Sequence, residues 1–205
     1  MIHQAVLASR RNPPDAKLMF FSPDTDMLVL VIANYDILLR NTSISMVSGV
    51  VEVNPIWAAL GADRAKGLPA FHAFTGADNT GRFSRIGKTT WLNTYLETDN
   101  DVINALKKLS ITSEVTEELL STLARFVCAA YSPKGIHIES VPELRWHLFC
   151  KYMAESDKLP PTHGALKQHV LRVYIQARVW GQAAIANQEF LTHYITAFTR
   201  TKMAN

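Results

Sequence analysis

Leu18 to Phe21 is a short apolar run closed by Ser22, Pro23 and Asp24, and it leads straight into MLVLVIANY, residues 27–35. A four-residue apolar run ended by Pro and Asp reads as a buried strand. The stretch that follows is apolar on every face, so periodicity alone leaves buried helix and buried strand open. Upstream, Ile2, Ala5, Val6 and Ser9 fall at helical spacing before Asn12, Pro13 and Pro14, which predicts a short amphipathic helix. Helix, tight loop and strand make half of a crossover unit, so the chain must build an α/β layer.

Between strand and apolar run stands PDTD, with Asp24 and Asp26 one residue apart, and a third acid, Asp78, lies in the glycine turn of GADNTGRFSRIGK, residues 76–88. Hard cations such as Mg²⁺ take oxygen ligands, keep several waters and are held by one or two carboxylates plus substrate phosphates. Asp24, Asp26 and Asp78 are therefore the candidate metal ligands and catalytic acids. An Asp pair at this place also suits a helix N-cap followed by a first-turn acid, which needs no metal.

The order SPDTD, apolar segment, then LPAFHAFTGADNTGRFSRIGK resembles the second half of a PIN-like nuclease core of the flap-endonuclease (XPG) type. It resembles more closely a group of transposon-like eukaryotic open reading frames that also carry a later LPPT, here Leu159 to Thr162, before a long helix. The resemblance covers about residues 1 to 180. It implies a partial PIN-like α/β core with a short, mostly parallel sheet over 1–98, followed by an all-α extension over 99–205. It favours a helix beginning at the DTD turn. It also implies Mg²⁺ or Mn²⁺ and phosphodiester hydrolysis on DNA or RNA. Relatives of this type carry further acids upstream of the first helix, and here the only acid before Asp24 is Asp15. A two-metal site normally draws on more than three carboxylates, so the alternative is an inactive mobile-element remnant that binds a protein or nucleic acid. A sheet lacking its first strand would expose an edge able to recruit a protein partner.

Residues 81–89, GRFSRIGKT, look like a P-loop, but five residues rather than four separate Gly81 from Gly87-Lys88 and no strand precedes them. A nucleotide cofactor is not expected. Ile86, Gly87 and Lys88 instead resemble the glycine turn with which flap-endonuclease-like proteins approach a phosphate backbone: Gly87 permits close approach, the next helix offers free N–H groups at Lys88 and Thr89, and Arg82, Arg85 and Lys88 would supply ionic contacts. The same loop also reads as a solvated basic segment. An aspartate-nucleophile phosphatase would need its first Asp directly after the strand, and Ser22 and Pro23 intervene. His72, one turn before the Gly76–Asp78 loop, suits a general base or phosphate contact, or a packed structural histidine.

A hairpin is expected from Ile44–Val47 and Val50–Val53 around Ser48-Gly49, and helices over 56–60 and 62–75 with Pro69 as a kink or start. Later apolar stripes predict helices through Val102, Leu106 and Leu109, through Val115 to Ala130 behind a Ser113 cap, and from Ser140 through Tyr152. The longest helix begins at Pro161 or Thr162. On it His169, Arg172 and Gln176 make a polar row, either solvated or tracking a nucleic acid, while Trp146, Tyr174 and Trp180 read as packing residues.

Formal charge is only +3, so any nucleic-acid surface must be a local patch. Cys128 and Cys150 are too few for a disulfide framework or zinc cluster, and no apolar run approaches the roughly 20 residues that span a bilayer. An intracellular location, nucleus or cytoplasm, is the expectation.

Overall fold

The computed structural model describes residues 1–153 and 155–187; the remainder of the expected helical extension, 188–205, lies outside the described residues. Helix α1, Ile2–Arg11, buries Ile2, Ala5 and Val6, the face its spacing predicts. Strand β1, Lys17–Phe21, follows, and α2, Thr25–Ala33, begins at the DTD turn. Four successive residues of α2, Val29 to Ile32, are buried. A helix covered on all sides has no polar stripe, so its sequence carried no period.

The chain then forms β2, Asn41–Met46, and β3, Gly49–Glu52. The sheet has the order β1-β2-β3, with β1 parallel to β2 and β2 antiparallel to β3. It is therefore mixed, not mostly parallel: a two-residue connection can only return antiparallel, whereas β1 reaches β2 through the α2 crossover. Side chains alternate between its faces. Phe20 and Ile44 point into the core, while Met19, Phe21 and Val50 remain exposed, and β1 keeps one unpaired edge among the described residues.

Helix α3, Val53–Thr75, is the axis of the molecule and contacts α2, β2, α4 and the later helices. The two helices expected over 56–60 and 62–75 are its two parts, joined at Gly61, whose backbone is non-helical with φ 76°. Pro69 lies inside the second part and starts nothing. Next come α4, Lys88–Glu97, α5, Asn100–Leu109, and α6, Glu117–Tyr131. The cap of α6 is Thr116, accepting from the Leu119 N–H, in place of Ser113. Helices α7, Val141–Tyr152, and α8, His163–Gly181, complete the set. Thr162 caps α8, and its 19 residues make α8 the longest uninterrupted helix among the described residues, since the 23-residue span of α3 is broken at Gly61.

Buried residues from both sides of position 98 join one hydrophobic cluster. At its centre Phe74 meets the rings of Phe83, Trp91, Phe126 and His169 at centroid distances of 5.0 to 5.9 Å. That cluster fixes the last turn of α3, and with it the position of His72 and Thr75. No helix among the described residues is long and apolar enough to cross a membrane.

Candidate functional site: the start of α2, the end of α3 and the start of α4

Asp24 ends the strand-to-helix turn as the N-cap of α2, its Oδ1 accepting from the Asp26 N–H at 2.9 Å. Its exposed carboxylate and the first-turn Asp26 both complement the positive end of the helix. Asp26 Oδ1 also lies 2.8 Å from His72 Nε2 in the last turn of α3. The other ring nitrogen of His72 faces Lys88, whose Nζ is 3.4 Å from Nδ1 and donates to the His72 carbonyl at 3.2 Å and to Thr75 Oγ1 at 2.9 Å. An ammonium can only donate. Nδ1 is therefore the acceptor, and the remaining proton on Nε2 donates to Asp26.

The electrostatics agree with a neutral imidazole. Burial, then the Lys88 charge, push the His72 pKa below its ordinary value, outweighing the opposite pull of Asp26 and Asp24. Lys88 is exposed as a residue, yet its ammonium end is withdrawn against α3. Burial lowers its pKa to about 8, with Asp26 opposing and Arg82 reinforcing the shift. The indole of Trp180 stacks over His72 at 6.0 Å, so α8 roofs a site built by α2, α3 and α4.

Asp78 stands apart from this network. It is exposed at the tip of a turn clamped by Thr80, which accepts from the Ala77 N–H at 2.9 Å and donates to the Ala73 carbonyl at 2.6 Å. Gly76 opens that turn at φ 111°, and an added Cβ would sit 2.9 Å from Arg82 Cβ. Only glycine allows both the backbone angle and the close approach. Among the described residues no three His, Cys, Asp or Glu side chains gather to hold a metal ion. Asp24 and Asp26 offer two carboxylates at one helix start, a donor set that suits a hard, largely water-coordinated cation better than a caged one.

The basic loop reaches the site in part. Lys88 points inward to Thr75 and His72, as above, and away from the solvated position the loop reading gave it. Arg82 is exposed, and Arg85 has φ 63° and approaches Asp157 at 4.0 Å. Tyr131 donates to the Ser84 carbonyl at 2.6 Å, which anchors the loop to α6. Gly87 is the N-cap of α4 without a side-chain cap, and a Cβ there would meet nothing within 4 Å. The first N–H groups of α4, at Lys88 and Thr89, are thus without intrahelical partners, behind an open approach.

Two expected members sit elsewhere. His169 is turned into the core, its Nε2 2.7 Å from the Phe74 carbonyl and its ring edge-on to Phe83 at 4.8 Å, so the polar row on α8 does not run along the surface. Gln176 accepts from Asn79 at 3.4 Å. Trp146 is 68% exposed and does not pack between helices, because α7 turns Leu144 and Leu148 inward instead. Thr75 and Trp180 are site neighbours that the sequence reading missed. Thr75 lies three residues after His72, on the same helix face, a signal that was there to use. Nothing local pairs Trp180 with a histidine 108 positions away.

Comparison of the chain with protein-family models, with curated proteins and with solved structures returns no match, and the resemblance to PIN-like nucleases therefore rests on the motifs alone.

Proposed function

We propose that this chain acts on the phosphodiester backbone of nucleic acid as a metal-dependent nuclease. The observation that carries the reading is the convergence of the Asp24–Asp26 helix start with the first residue of α4 through His72 and Lys88. Acids to hold a cation and free N–H groups to hold a phosphate thus come from segments more than 60 residues apart and meet in one place. Asp24 and Asp26 hold Mg²⁺ or Mn²⁺, and Asp78, which stands apart on its turn, would have to close on them to join the site. The bound cation supplies Lewis acidity and charge neutralisation. Arg82, Arg85 and the Gly87–Thr89 start of α4 hold the backbone phosphates. His72 is a positioning residue that orients the Asp26 carboxylate, and Lys88 fixes the tautomer of His72.

A second reading, a module that binds without cutting, is favoured by the Asp26–His72 bond and by the separation of Asp78 from the other acids. In that case the exposed edge of β1 offers a protein partner a strand to extend.

Labelled branched DNA and single-stranded RNA, incubated with the chain in Mg²⁺ or Mn²⁺ beside Asp78→Asn, separate the readings. Cleavage lost in the variant supports the nuclease. Retention of the substrate without cleavage, weakened by Arg82→Ala, supports the module. The absence of both cleavage and retention would discard the nuclease and any nucleic-acid module, leaving only a protein-binding module at the β1 edge.

A further inference from the structure

β1 and β2 run parallel, and parallel strands are ordinarily covered on both faces. Here one face is left open. Lys17, Met19 and Phe21 alternate to the side away from buried Phe20, and all three are exposed, Met19 by 46% and Phe21 by 74%. Across the register, β2 sets Ser43 beside Met19 and Ser45 beside Phe21, and β3 sets Glu52 and Val50 beyond them. Small serines between taller neighbours make a shallow trough along the sheet.

The two ends of the trough differ in charge. Where β1 and β2 begin, Lys17 pairs in register with Asn41, next to Arg40. The last turn of α1 carries Arg10 and Arg11 and is held at the same end by Ser9, whose Oγ accepts from the Leu39 N–H at 3.2 Å. All four cations are exposed. Among the described residues none of them enters an ion pair. The acids near them are Asp15, Glu52 and Asp36, and Lys66 already takes Asp36 at 2.9 Å. At the far end, Phe21 stands three residues before Asp24, at most about 11 Å of chain.

We propose that this open face carries single-stranded nucleic acid to the Asp24–Asp26 helix start, its backbone on Lys17, Arg40 and the end of α1 and one base stacked on Phe21. Single strands thereby become the substrate class of the nuclease proposed above, on which the track rests. Every base has a face that an aromatic ring can cover. In a duplex both faces are already taken by neighbouring pairs, so only an unpaired strand can use Phe21. The four cations supply the sequence-independent attraction to phosphate. A flat anionic lipid surface would meet Glu52 and Asp24 together with the cations, whereas a linear polymer can pass from the cations to the acids and meet these through the metal ion they hold.

Fluorescence anisotropy of labelled oligo(dT) with the full chain in EDTA measures binding apart from cutting. The wild type is expected to hold the single strand more tightly than a duplex of the same length. Phe21→Ala, folded by circular dichroism, should weaken binding about tenfold, the worth of one stacked base. Phe21→Tyr keeps the ring and should bind as wild type; Phe21→Leu keeps only apolar bulk and should bind as Phe21→Ala. Lys17→Ser and Arg40→Ser should each shallow the dependence of log affinity on log salt by about 0.7. Several results would overturn the proposal: a duplex held as tightly as the single strand, an affinity indifferent to Phe21→Ala, or a salt slope unmoved by both charge variants. So would oligo(dT) left free by a wild type that dimerises, or that binds phosphatidylserine vesicles, through Phe21. Oligo(dT) held in EDTA and never cut in Mg²⁺ would keep the track and discard the nuclease. Cleavage of single strands in Mg²⁺ that ignores Phe21→Ala would keep the nuclease and discard the track.

Discussion

His72 and His169 are both withdrawn from water, and burial is the leading cause that lowers the pKa of each. Their partners differ. His169 gives Nε2 to the Phe74 carbonyl and is boxed in by Phe74 and Phe83. His72 stands between a carboxylate and an ammonium under one indole. One pocket is made of rings and a backbone dipole; the other is made of opposed charges. Burial alone therefore does not tell the two histidines apart, whereas the charge of their neighbours does.

The strongest way to break the aromatic pocket is Phe74→Ala, which removes a fully buried ring touching four others. A loss of about 3–5 kcal/mol is expected in urea unfolding, and a loss below 1 kcal/mol would mean that this cluster does not hold the end of α3. The charged pocket breaks through Lys88→Met. Lys88 titrates near 8 when folded and at 10.5 in its ordinary state, so between those values the unfolded chain holds more protons and stability rises with pH. Wild type should gain on the variant as pH climbs from about 8 to 10.5 in paired urea titrations. A constant difference across that window would place the ammonium in water.

A finer probe compares the two rings directly. Both folded pKa values lie below the ordinary 6.5. As pH falls through 6.5 the unfolded chain protonates first, and stability drops. By NMR titration Lys88→Met should raise the pKa of His72, because it removes the second-largest cause of its depression, and leave His169 unmoved. Dilute Mn²⁺ should broaden the His72 ring signals and spare those of His169. Equal movement of both would dissolve the distinction.

What the sequence disclosed follows the same division. Boundaries set by local chemistry were legible: the Pro-Asp end of β1, the Asp24 start of α2, the break at Gly61 and the Thr162 cap. Placement set by tertiary packing was not. His169, Arg172 and Gln176 share a spacing that looks solvated, yet α8 turns His169 onto Phe74. Trp146 looks like a core residue by type, yet α7 carries two apolar stripes and only one is covered by its own chain. Gly49 returns β3 antiparallel, which the hairpin signal contained, although the resemblance pointed to a mostly parallel sheet. The three candidate acids were each visible, while the approach of His72 and Lys88 to Asp26 depends on how α3 and α4 end and begin.

Asp24 is where the smallest effect decides the most. As N-cap its side chain needs only an oxygen that accepts the Asp26 N–H, and asparagine supplies one. Asp24→Asn should therefore change stability by no more than about 0.5 kcal/mol, while Asp24→Ala, which loses the cap, costs about 1 kcal/mol. A divalent cation needs the negative charge as well as the oxygen. If the acid pair grips an ion, Asp24→Asn should abolish Mn²⁺ binding in calorimetry while the fold stays intact. If binding survives the loss of that charge, Asp24 is a cap and nothing more.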